Sequence, residues 1–323
     1  MTARRGVAMI AAIWLVVAIA VVALQFSLQA KERRVLGINT AERGVARGAA
    51  LGALASTQAQ LDYILRVMPS GNAALSSTRS GDPWLGVDSI YSGPMYVDSM
   101  EVDATLLDLG RRLNINDLTE DQFRTFFGYV LNDYTTADHL AQTIMDWEDV
   151  DDIPRPNGDE KEGYIKKGLL TLPANGPFRS VDELLHVEGM TPDIYAAVAP
   201  YFTVYGSGIV NINTAPVPVL RAIPGMTDQI LANILNQRSR GLRISSIAQV
   251  VPGYTPTRGR GAANGLATMA GIQQQQLANA MTVDTREILV TLVARAGPQA
   301  QPTKVFALFT RSGTTTNISW EQW

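Results

Sequence analysis

The chain has 323 residues, with 27 Lys and Arg against 30 Asp and Glu, a net charge of −3 and no cysteine. This mild acidity argues against a nucleic-acid binder, and the missing thiols exclude disulfides, thiolate zinc sites and a cysteine nucleophile. The two histidines, His139 and His186, lie far apart in sequence, which argues against a histidine-rich metal site or a charge-relay triad.

Arg4-Arg5-Gly6 precedes residues 7–30, which carry no charge at all. A run of this length spans a bilayer as one helix, since roughly 20 apolar residues suffice. Secretory signals have a shorter apolar region, roughly 7–15 residues, and then a small-x-small site. Here the only candidate end is Leu28-Gln29-Ala30, where Leu28 fits poorly. The layout is that of a prepilin-like chain cut between Gly6 and Val7; a plain membrane anchor is the alternative. Charge does not orient the segment, because Lys31, Arg33 and Arg34 balance Arg4 and Arg5 across it.

Residues 35–65 continue the helical pattern, with Leu36, Val45, Ala49, Leu51, Leu54, Leu61, Ile64 and Leu65 at three- and four-residue spacing. Gly37, Gly44, Gly48 and Gly52 weaken the helix, so it needs a packing partner, and a small-residue face against a globular head is expected. Pro69-Ser70-Gly71-Asn72 ends it. Between 73 and 112, Ser89-Ile90-Tyr91, Met95-Tyr96-Val97 and Val102–Leu109 read as short strands. Glu287–Arg295 and Lys304–Arg311 are the clearest strands, joined across 297–302, and Thr314–Trp320 adds an edge.

The middle, 113–283, reads as helical and contains echoes. Leu113-Asn114-Ile115-Asn116 returns as Val210-Asn211-Ile212-Asn213, and Val187-Glu188-Gly189-Met190-Thr191 resembles Ile223-Pro224-Gly225-Met226-Thr227. Each central Gly falls where a helix must end and reverse, which favours left-handed backbone. Helix-hairpin-helix units of this kind often hold DNA phosphates through free N–H groups. Glu188 and Pro224 flank these turns and speak for packing instead. Residues 241–275, rich in Gly, Ser and Gln, read as a long mobile loop.

The acidic run is the sharpest chemical signal. Asp146-Trp147-Glu148-Asp149-Val150-Asp151-Asp152 is followed by Gly158-Asp159-Glu160 and Tyr164. Hard oxygen donors at this density suit calcium, which takes 6–8 oxygens. Asp149, Asp151 and Glu160 fall on positions 1, 3 and 12 of a twelve-residue loop, but Pro154 stands where an EF-hand needs Gly. From spacing alone a solvated acidic loop, or carboxylates capping helices, is the somewhat stronger reading, and a carboxylate-pair hydrolase using Asp149 and Glu160 is a third that lacks a visible substrate pocket.

Read together, these segments resemble the type II secretion system protein K family of minor pseudopilins. The carriers are Gly6-Val7, Asp146-Trp147-x-Asp149-x-Asp151, Gly158-x-Glu160 with Tyr164, Asn175-x-Pro177-Phe178-x-Ser180-x-x-Glu183-Leu184, Val187-x-Gly189-Met190-Thr191 and Asn211–Pro216. Most pilin-like chains carry glutamate at the fifth mature position; here it is Ala11, as suits a subunit with none above it to pair with. Val7 and Asp159 depart from the family pattern.

The resemblance implies an α+β, pilin-like fold with a long N-terminal transmembrane helix, a small antiparallel sheet and a large α-helical domain inserted between strands. Its parts would be a leader (1–6), a membrane helix (7–30) and its periplasmic continuation (31–68). The head would be 69–112 with 282–323, and the insert 113–281. It implies a non-enzymatic, single-pass protein of the bacterial inner membrane with a periplasmic head. Its partners would be minor pseudopilins I and J, the prepilin peptidase and the inner-membrane assembly platform, and no nucleic acid. Asp146, Asp149, Asp151, Asp152 and Glu160 would hold a structural calcium ion. The rival is a membrane-anchored binding protein or pilus adhesin, with 241–275 as its recognition surface.

Overall fold

The computed structural model describes residues 3–67, 82–252, 254, 269–297, 300–312 and 315–322. Helix α1 (Ala3–Val67) is a single helix of 65 residues, about 100 Å long at 1.5 Å per residue. It is long and apolar enough to cross a membrane, by length and composition. Gly6 and Val7 lie inside it.

Its C-terminal part packs through small residues. Ala46, Ala49, Ala50, Ala53, Leu54, Leu61, Ile64 and Leu65 are buried, as the expected small-residue face requires, whereas Leu36, Val45 and Leu51 of the periodic set are exposed. Small side chains bring the helix backbone close to the sheet. A Cβ on Gly52 would stand 2.8 Å from Val97 Cγ1, so glycine there serves a close approach. Pro69–Asn72 lies outside the described residues.

Five antiparallel strands form the head in the order β1 (Gly93–Val97), β2 (Met100–Asp108), β7 (Glu287–Ala294), β8 (Thr303–Ser312) and β9 (Thr315–Gln322). Alternation decides which face is buried. Val102, Ala104 and Leu106 of β2 join Ile288, Val290, Leu292, Val305, Ala307 and Phe309 against α1. Ser89–Tyr91 is not a strand: left-handed Gly86 (φ 74°) leads into the short helix α2 (Val87–Ile90), and Trp84 and Val87 are buried beside α1.

The 109–286 segment is inserted between β2 and β7. The β7–β8 turn, at Ala300 and Gln301, lies beside Asn39, Glu42 and Arg43 of α1, towards the apolar part of that helix. Thr316, at the opposite end of the sheet, is held by Asp62 and Gln58. The insert therefore leaves β2 and rejoins β7 at the end of the head farther from the apolar part of α1.

The echoes are two structural repeats. In the first, β3 (Leu113–Asn114) pairs in parallel with β4 (Phe202–Thr203); in the second, β5 (Val210–Asn211) pairs in parallel with β6 (Met281–Thr282). Each repeat is stapled by its second Asn. Asn116 donates Nδ2 to Phe178 O (3.0 Å) and accepts from Phe178 N (2.8 Å). Asn213 donates to Ile244 O (2.8 Å) and accepts from Ile244 N (2.9 Å). Past each staple the same local device recurs, with Glu183 capping Arg179 N and Gln249 capping Ser245 N.

Helices α3 (Glu120–Leu131), α4 (Tyr134–Glu148), α5 (Lys161–Lys166) and α6 (Pro192–Val198) belong to the first repeat; α7 (Val217–Arg221), α8 (Asp228–Ser239) and α9 (Met269–Asn279) belong to the second. Together they enclose a core separate from that of the head, in which Phe123 stacks on Phe127, Phe126 meets Phe127 edge-on, and all three pack with Phe202 at tilted angles. Gly189 and Gly225 are left-handed, as their turn positions require (φ 84° and 77°). The expected mobile loop is otherwise. Ile244, Val250 and Val251 are buried, and 269–279 is helical. Residues 253 and 255–268 lie outside the described set.

Candidate metal centre

The acidic loop is an elaboration of the first repeat, running from the end of α4 to the start of α5. Asp133 caps α4 by accepting from Thr135 N and Thr136 N, and the helix carries Asp146 and Trp147 inward on its last turn. Trp147 stacks on Phe178 (ring centroids 5.9 Å apart), the residue stapled by Asn116, so the loop starts from a fixed platform. Tyr164 is buried on the other side, where its hydroxyl accepts from Glu188 N (2.8 Å). Glu160, in extended backbone, precedes α5.

This brings together Asp149, Asp151 and Glu160, each offering a carboxylate oxygen within 4.8 Å of the others. Glu160 is only 3 % exposed, and neither of its oxygens accepts a well-formed hydrogen bond; Asp149 Oδ1 is likewise buried and unpartnered. Such groups are costly to bury. Burial, and then the charges of Asp146, Asp149 and Asp152, push the Glu160 carboxyl up to about 7, with the Lys161 N–H opposing slightly. Asp151 Oδ1 accepts from Ile153 N at 2.9 Å.

Asp146 and Asp152 stand differently. Asp146 is fully buried and bound by Arg155, whose Nη1 lies 2.5 Å from Oδ1 and whose N–H donates to Oδ2 at 3.1 Å. Burial raises its pKa, and Arg155 opposes the shift. The same Nη1 lies 2.6 Å from Asp149 Oδ2. Asp152 Oδ1 accepts from Asn175 Nδ2 at 3.2 Å, which ties the loop to the segment after α5. Both acids thus flank the trio, each with its own partner.

Arg155 is the residue that motif reading passed over: a lone cation inside an acidic run is the sign that it neutralises that run. Gly158 has its reason here too, since a Cβ at that position would overlap Asp146 Oδ2. Glu148 was also missed. Its Oε1 is buried without a partner, and burial with Asp117 nearby pushes it up to about 7.

The donor set fits a hard cation. Three converging carboxylates, of which Glu160 and Asp149 offer buried unpartnered oxygens, with no nitrogen or sulfur ligand among them, match calcium in kind, and main-chain carbonyls or water would complete six to eight ligands.

Sequence profiles of the type II secretion system protein K family match residues 110–207 and 210–284, more than half of the chain, and their boundary falls between the two repeats. A putative type II secretion system protein K of Escherichia coli (strain K12) is 30% identical over 115 residues, 33% of this chain and 35% of that protein. The type II secretion system protein K of Pectobacterium carotovorum subsp. carotovorum is 24% identical over 147 residues, 39% of this chain and 45% of that protein. The matches thus span less than half the length of these relatives. The structure resembles a chain of the GspK-GspI-GspJ complex from enterotoxigenic Escherichia coli, with a TM-score of 0.57 at 17% identity, over 88% of this chain and 98% of that one. At this identity the likeness shows the fold. The chain belongs to the type II secretion system protein K family.

Proposed function

We infer that the protein is a minor pseudopilin that starts and caps the pseudopilus of a type II secretion system, and so helps drive folded proteins across the outer membrane. The observation that carries this reading is the position of the insert. It joins the sheet at the end farther from the apolar part of α1, so it crowns the head and leaves the exposed length of α1 free to pack with other helices. A subunit widened in this way accepts neighbours beside and below it and none above.

Minor pseudopilins I and J are the partners in this reading, supported by the GspI and GspJ chains of the solved relative's complex. The prepilin peptidase cuts between Gly6 and Val7, Val7 is then N-methylated, and the mature chain waits in the inner membrane with its head in the periplasm until the assembly platform takes it up. A calcium ion held by Asp149, Asp151 and Glu160, with Asp146 and Asp152 alongside, braces the loop and catalyses nothing. The supporting observation is the buried, unpartnered pair of Glu160 oxygens. Co-expression with subunits I and J tests the assembly: the tagged chain should retain both through purification. Recovery of the folded chain without either would refute the reading.

A further inference from the structure

Arg155 lies against the carboxylate trio and shares one of its members. Its Nη1 stands 2.5 Å from Asp146 Oδ1 and 2.6 Å from Asp149 Oδ2, so a single nitrogen joins the two acids. Asp149 is thereby divided between two cation sites. Oδ2 faces the guanidinium, while Oδ1 is buried and unpartnered, as are both oxygens of Glu160. Among the described residues, Arg155 is the one cation paired with any of Asp146, Asp149, Asp151, Asp152 and Glu160.

The two acids hold Arg155 unequally. Asp146 is fully buried and takes the main-chain N–H of Arg155 (3.1 Å to Oδ2) as well as its side chain. Taking Arg155 from Asp146 would leave a buried carboxylate without a counter-charge, which is costly. Asp149 is partly exposed and makes one contact with Arg155, so it can change partner more cheaply. A second seat for the guanidinium is close by: Arg155 Nε lies 3.6 Å from Oε2 of Glu120, whose other oxygen holds Arg124.

We propose that Arg155 is a built-in counter-cation of the metal centre, which holds Asp149 in the calcium-free chain and gives it up, while keeping Asp146, when calcium binds. This rests on the calcium reading given above. A divalent ion at the trio attracts Asp149 with twice the charge of a guanidinium and repels the guanidinium itself. Arg155 then closes on Glu120, and Asp149 can turn both oxygens to the ion, a bidentate mode that calcium accepts. Two consequences follow for the site. Arg155 keeps the acidic loop folded without calcium, and it lowers calcium affinity, because each binding event breaks an ion pair.

The test uses the full chain in detergent. Calorimetric titration with calcium should show Arg155→Gln binding about tenfold more tightly than the wild type, the scale of one charge-assisted contact, while Tm in EDTA falls. An arginine that served only to brace the loop would lower both stability and affinity when replaced. A crystal structure of the calcium-loaded wild type supplies a readout that needs no variant to fold: Arg155 Nη1 should remain on Asp146 and lie beyond hydrogen-bond reach of Asp149. Arg155 bound to both acids beside the ion, or affinity unchanged or weakened in Arg155→Gln, would overturn this proposal and leave the calcium reading standing. A wild-type chain that takes up no calcium would overturn both.

Discussion

Replacing Glu160 by glutamine removes one charge from the centre of the acidic loop and keeps the side-chain volume. In the calcium-free chain this charge is a liability, because Glu160 is buried, its oxygens are unpartnered, and Asp149 and Asp151 converge on it. Its pKa is raised from 4.5 to about 7, a shift whose full value is about 3 kcal/mol at 1.36 kcal/mol per unit. Solvent screens the exposed acids Asp151 and Asp152, so roughly 1–2 kcal/mol is the better expectation. The sign follows from linkage: a raised carboxyl contributes stability that is complete below about 4.5 and lost as pH rises through about 7.

In EDTA at about pH 8, therefore, Glu160→Gln should melt above the wild type, by roughly 3–6 °C for a domain of this size. The gap should close as the pH falls below about 5. Millimolar calcium should reverse the order, since the wild type gains a ligand-bound state and the variant loses a coordinating oxygen. Thermal unfolding of the detergent-solubilised chain reads all three conditions. A variant less stable than wild type in EDTA, or an equal calcium gain in both, would refute the reasoning.

Asp108→Asn tests the junction. Burial pushes Asp108 up to about 6, so the wild type should gain stability as pH falls from about 7 to about 4, and the variant should show a flatter profile in the same unfolding series. Gly158→Ala places a methyl group against Asp146 Oδ2 and should cost about 2 kcal/mol or more while blunting the calcium-induced rise in Tm. Asn213→Ala frees Ile244 N and O together with Val283 O, and should destabilise by about 2–4 kcal/mol, with faster amide exchange around 241–252 than elsewhere in the insert.

Local pattern revealed the strands and the acidic loop. Glu287–Ala294 and Thr303–Ser312 were legible because β-branched and apolar residues alternate there against a face that is in fact buried. The loop was legible because Asp149, Asp151 and Glu160 are close in sequence as well as in space. Features set by distant partners were not. The small-residue face of α1 was legible in the spacing, and Ala46, Ala49, Ala50 and Ala53 do lie on the head; which of the larger residues join them was not, since Leu54, Leu61, Ile64 and Leu65 are buried while Leu36, Val45 and Leu51 are exposed. Residues 241–252 suggested a mobile loop because their order comes from Asn213, 31 residues upstream of the Ile244 it holds. The role of Arg155 was not legible, because the run of acids gives no sign that this cation, nine residues beyond Asp146, binds Asp146 and Asp149 alike. Ser89–Tyr91 looked extended, and the left-handed Gly86 turned it into a helix.

Entry into the pseudopilin pathway is decided at the N-terminus, and intact mass with N-terminal sequencing of the membrane-extracted protein reads it. Co-expressed with the prepilin peptidase, the chain should begin at Val7 with a methylated amine, and without the peptidase it should keep residues 1–6. An N-terminus left uncut in the presence of the peptidase, or a cut near Ala30, would contradict the account.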